Sequence, residues 1–139
     1  MARPLSDVQA RILATVEKHL RREGNNSLTL GAIATETGCA KGLVNYHFKT
    51  KDDLLAAAAG KMLRDREELW KKALIADRPE VAFRQAWDLI NAEVAGGFWS
   101  AWAALSASRY GVTVQTVNNG MGSFNRSLEL SVDALLRSM

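Results

Sequence analysis

A single cysteine, Cys39, stands in the 139 residues. That excludes an intrachain disulfide and any metal site built on paired thiolates, and it fits a reducing compartment. Prolines are also scarce, with only Pro4 and Pro79, so long stretches can run as uninterrupted helix. The two histidines, His19 and His47, carry no carboxylate–histidine motif, and no nucleophile–base–orienter set surrounds Cys39 or His47. A long hydrophobic run is also missing. The most apolar stretch, 95–107, holds Gly and Ser and falls short of the ~20 residues a bilayer span needs. The opening residues lack the apolar centre of a secretory signal. The expectation is a soluble cytoplasmic protein with no membrane segment, no metal and no cofactor. Repeats and low-complexity tracts are absent, and alternation rarely lasts four residues, so strand signals are weak.

What remains is helical spacing in an ordinary globular composition, 47% hydrophobic and 24% charged, which argues against disorder. The net charge of +3 is unevenly placed. Residues 1–51 hold eight Lys/Arg against four acids, whereas the remainder is net −1. A basic head on a near-neutral body suits a polyanion-binding head, and it also suits a merely solvated face.

Ser6 or Asp7 caps a first helix whose Val8, Ile12, Val16 and Leu20 form one stripe; Arg21, Arg22 and Gly24 end it. A short helix follows from Thr29, with Leu30, Ile33 and Ala34 inward, and stops at Gly38. A third runs from about Ala40 to Phe48. Thr50 caps a long helix reaching towards Ala76, with Leu55, Met62, Leu69 and Ala73 as its stripe. Further helices are expected over Pro79–Asn91 and Phe98–Tyr110, broken apart at Gly96-Gly97. After Gly111 the Asn118-Asn119-Gly120 and Gly122 composition offers no clear helix until Phe124–Leu136. Two short helices joined by a tight turn at Gly38, with Lys41 opening the second, form a helix-turn-helix pattern over 29–48. In such a pair the first helix braces across the DNA backbone and the second offers side chains to the major groove. Ile33, Val44 and Phe48 read as core, and Cys39 as a small turn residue.

The string from Ser27 to Leu55 closely resembles the tetracycline-repressor (TetR) family. Thr29, Ile33-Ala34, Gly38, Lys41-Gly42, Tyr46-His47-Phe48 and Lys51-Asp52-Asp53-Leu54 stand at the family's spacing, and many positions agreeing at fixed separation make the match specific. The resemblance implies an all-α fold: a DNA-binding domain over 6–66, then a helical effector-binding and dimerisation domain over 67–139, joined by the long helix. It implies phosphate contacts from Thr29 and Tyr46 and further backbone contacts from His47 and Lys51. Lys41, Gly42, Leu43 and Asn45 face the groove, with Gly31 a weaker candidate. Lys41 suits guanine and Asn45 adenine, although the family often has an aromatic residue at the latter position. The implied partners are a palindromic double-stranded DNA operator, a second copy of the chain, and a small apolar or aromatic effector. Phe83, Trp87, Asn91, Phe98 and Trp102 are the candidate effector contacts, with Tyr110 nearby; taken singly, each aromatic reads sooner as core or dimer interface. The implied function is a non-enzymatic transcriptional regulator, a repressor released when its effector tilts the long helix. The alternative is a helical small-molecule or partner-binding module with a vestigial DNA motif. Family members usually run well beyond 139 residues, which leaves a truncated or incomplete chain and a compact variant both open.

Overall fold

Ser6 caps the first helix, α1 (Asp7–Glu23): its hydroxyl accepts the Gln9 N–H while the Gln9 side chain accepts the Ser6 N–H. This reciprocal pair satisfies two of the donors that a helix start leaves open. The computed structural model describes residues 6–108 and 111–138, and among them it is helical with no strand. The remaining helices are α2 (Leu30–Thr37), α3 (Lys41–His47), α4 (Lys51–Leu74), α5 (Pro79–Ala95), α6 (Phe98–Ser106) and α7 (Gly111–Arg137). Most boundaries follow local chemistry. Thr29 and Thr50 cap α2 and α4 through their hydroxyls, Pro79 opens α5, and Gly97 at φ 75° turns the chain between α5 and α6.

The head packs α1, α2 and α3 over Ile12, Val16, Leu20, Leu28, Ile33 and Val44, all fully buried. From there the core continues without a gap through Leu55, Ala59 and Met62 of α4 to Phe98, Leu105 and Val117 of the body. The helix α4, about 36 Å long, touches α1, α5, α6 and α7. It is thus the shared wall of head and body, and the expected boundary at residues 66–67 falls inside it.

Three local expectations are corrected. Residues after Gly111 form one continuous helix of 27 residues, not a loop followed by a helix. A Cβ at Gly120 would overlap Leu63 Cδ1, so that glycine is where α7 lies directly on α4, and packing overrides its poor helix propensity. The buried face of α4 runs Leu55, Ala59, Met62, Arg66, Trp70, while Leu69 is 52% exposed. A seven-residue stripe drifts around a 3.6-residue helix, and the inward position is taken by a charge. Lastly, α5 extends past Asn91 to Ala95 and α6 stops at Ser106. Tyr110 lies outside the described residues.

Candidate DNA-binding interface

The turn between α2 and α3 is made by Gly38, in the left-handed region at φ 74°, ψ 34°. Its N–H donates to Thr35 O and the next, that of Cys39, to Ala34 O, closing the C-terminus of α2 in the manner glycine permits. The reversal brings α3 back across α2. Val44 and Phe48 drop into the head core, and the other face of α3 is left to solvent: Lys41, Gly42, Asn45 and Tyr46 are exposed and Leu43 is 37% exposed. Tyr46 is 78% exposed and stands edge-on to His47, ring centroids 5.1 Å apart. A buried packing role for Tyr46 is therefore excluded.

Thr29 is exposed beside this face, and its oxygen accepts the Ala32 N–H at 3.0 Å; the hydroxyl proton can still be donated. The Gly31 backbone lies under Lys41, since a Cβ there would be 4.0 Å from Lys41 Cδ. Thr29, Gly31 and Lys41 thus lie together on one side of the head. His47 is half-buried at the foot of α3. Lys51 is placed differently: its Nζ donates to Asn25 O at 3.1 Å, and burial lowers its pKa. It ties the first turn of α4 to the α1–α2 turn.

Two bracing groups were not singled out by sequence. His19 is buried and bridges α1 to α2. Its Nδ1 lies 2.7 Å from Glu36 Oε1 and its Nε2 3.0 Å from Ser27 Oγ. Arg22 Nη2 donates to the same Glu36 oxygen, and Ser27 Oγ donates to Glu23. On the other flank Arg11 donates to Thr37 O at 3.3 Å. These bonds fix α2, and with it the turn that aims α3. The only sequence signal was a polar His19 between the stripe residues Val16 and Leu20.

The five candidate effector residues are not brought together. Phe98 and Trp102 are buried and stacked, centroids 5.9 Å apart and planes 7° apart. Phe83 and Trp87 point outward, 73% and 56% exposed, and flank an open groove with Pro79, Glu80 and Arg84. Asn91 is exposed further along α5. Among the described residues no cluster of His, Cys, Asp and Glu could hold a metal ion, and no helix is long and apolar enough to cross a membrane.

Residues 12–58, from α1 into the first turns of α4, match the family model described as bacterial regulatory proteins, tetR family. No curated protein matches the chain. Among solved structures it is similar to a TetR transcription regulatory protein from Mycobacterium vanbaalenii, at 24% identity and a TM-score of 0.71, over 94% of this chain and 76% of that one. It is also similar to a protein of Pseudomonas aeruginosa PAO1 described as a transcriptional regulator, at 19% identity and a TM-score of 0.68, over 94% of this chain and 64% of that one. At these identities the likeness establishes the fold, and the chain spans under two thirds of the second protein.

Proposed function

We propose, on the premise that the chain belongs through residues 12–58 to the tetR family of bacterial regulatory proteins, that it reads a palindromic DNA operator as a homodimer and is released from it by a small apolar effector. The observation that carries the reading is the outward face of α3. Val44 and Phe48 are buried beneath it, and Lys41, Gly42, Leu43, Asn45 and Tyr46 are left in solvent with Thr29 and Gly31 alongside. Nothing in the packing of the head needs Tyr46 or Asn45 at these positions.

In this reading Thr29 and Tyr46 hold phosphates and set the register, which carries no sequence information by itself. Gly42 lets α3 approach the base edges; Lys41 donates to guanine and Asn45 makes a paired contact to adenine. Two heads must meet successive grooves about 34 Å apart. An effector in the body that shifts α4 changes that separation, and affinity falls because only one head can dock at a time. The reading makes the protein a repressor, acting where DNA is, in the cytoplasm.

Enrichment of random duplex DNA on the full chain, at two salt concentrations, tests this. Recovery of a palindrome whose retention falls steeply with salt, and its loss in Lys41→Ala and Tyr46→Ala proteins, is the expected result. Indifference of DNA retention to both substitutions would mean that the motif is vestigial and that the chain is a helical binding module.

A further inference from the structure

Arg66 and Glu93 form the one ion pair among the described residues with both side chains more than nine-tenths buried, at 7% exposure each. Arg66 Nε donates to Glu93 Oε1 at 2.6 Å and Nη2 to Oε2 at 3.2 Å, and Trp70 Nε1 adds a bond at 2.9 Å. Rings close round the guanidinium, with centroids of Phe98, Trp99 and Phe124 at 5.2, 5.0 and 4.1 Å. Desolvating such a pair is a cost that apolar side chains of the same volume avoid. Arg66 also remains under-used. Of the five N–H donors of a guanidinium, two are spent on Glu93, and the others, including both on Nη1, meet no oxygen acceptor among the described residues.

A cavity of about 290 Å3 opens against this pair between α1, α4, α5 and α6. Arg66 and Arg21 supply cationic wall, Glu93, Glu17 and Asp65 acidic wall, and Met62, Leu69 and Phe98 apolar wall; Glu93 is taken by Arg66, Glu17 by Arg21 and Lys61, and Asp65 by Lys61. We propose that it binds a small carboxylic acid with an apolar body, a monocyclic aryl acid or a medium-chain fatty acid. The carboxylate takes the spare N–H groups of Arg66, and the body lies along Met62, Leu69 and Phe98. A planar guanidinium fork favours a carboxylate over a neutral carbonyl. An amine would have to displace Arg21, Lys61 or Arg66 from the carboxylates of Glu17, Asp65 and Glu93, which those cations already hold. The volume sits at the small end of ligand sites, which suits a single ring or a medium chain. Arg21 carries occupancy to the head: it belongs to α1, yet its Nη1 donates to Gly96 O at 2.6 Å, at the α5–α6 corner.

The inference rests on the reading of the body as an effector domain, and the test separates the two. Calorimetric titration of the full chain without DNA uses benzoate, phenylacetate, hexanoate and octanoate, with benzamide and benzylamine as neutral and cationic controls. At least one acid is expected to saturate at one site per chain and to perturb the fluorescence of Trp70 and Trp99. Benzamide and benzylamine bind about tenfold more weakly or worse. Arg66→Lys keeps the charge but loses the fork, and is expected to weaken the acid about tenfold. Arg66→Met with Glu93→Met removes both charges together and abolishes the preference for acid over amide. Absence of saturable binding by all four acids at millimolar concentration overturns the site, as does equal binding of benzoate and benzamide, or wild-type affinity in Arg66→Lys. If an acid binds and DNA affinity is unchanged, the site stands and the effector reading fails. If other compounds release DNA while the acids do not bind, the site fails and the effector reading stands.

Discussion

Asp52 caps a helix to which it does not belong: its carboxylate accepts the Thr113 N–H at 2.9 Å and the Thr113 hydroxyl across 61 residues of sequence. The Val112 N–H adds a third bond at 3.2 Å. The first turn of α4 thereby holds the N-terminus of α7, placing body and head in register at the residue next to Lys51.

The Asp52 carboxyl gives a prediction with a pH signature. Burial opposes its ionisation, but the bonds from Thr113 and Val112 outweigh that and hold its pKa below the ordinary 3.8. A depressed folded pKa contributes stability that is whole above the unfolded value and lost as pH falls through the folded one. Asp52→Asn is expected to cost about 1–2 kcal/mol at neutral pH. Denaturant titrations should show the gap between wild type and variant constant above about pH 5 and closing below the ordinary carboxylate range.

Two glycines of α7 should respond oppositely to alanine. Gly120→Ala drives a methyl into Leu63 and is expected to destabilise by about 1–3 kcal/mol, with partial recovery on adding Leu63→Ala. At Gly122 a Cβ meets nothing within 4 Å, so Gly122→Ala should stabilise by up to about 1 kcal/mol through helix propensity. Thermal melts of the two variants side by side decide the matter; a stable Gly120→Ala protein would refute the close approach of α4 and α7.

Replacing His19 by alanine leaves Glu36 and Ser27 without their buried partner. The expected loss is about 2–3 kcal/mol, read from unfolding midpoints. If α2 is as dependent on this bridge as the geometry indicates, hydrogen exchange in 30–37 should accelerate before global unfolding.

Tyr46→Ala should separate binding from folding. An exposed side chain of this kind changes stability by no more than about 0.5 kcal/mol. If its hydroxyl holds a phosphate as proposed, DNA binding is expected to weaken by about tenfold, evenly across sequences. Parallel melting curves and DNA titrations of the variant read the two effects separately. Lys41→Ala should instead relax preference at one base position while leaving the melt unchanged.

Local patterns made most of the head legible. The Ser6, Thr29 and Thr50 caps, the Gly38 turn and the spacing of Val44 and Phe48 each follow from chemistry within four residues of the feature they specify. So does the solvent face of α3, because burying Val44 and Phe48 on a short helix leaves Lys41, Asn45 and Tyr46 no other direction. The body was less legible for an equally physical reason. Phe83 and Trp87 on α5 stand four apart, as do Phe98 and Trp102 on α6, yet the first pair faces solvent and the second is core, since spacing assigns a face without saying what it meets.

The sequence by itself determined that helices form over α1 to α6, the Thr29 and Thr50 caps and the turn that presents α3, because those depend on neighbours along the chain. Only the tertiary structure decided that α7 is continuous through Gly120, that Asp52 closes its start, and that Arg66 meets Glu93 27 residues away beside a cavity. Each of these depends on two distant segments arriving at the same place. Glycine where helices touch, or a charge on an inward face, acquires its meaning only when the partner is there.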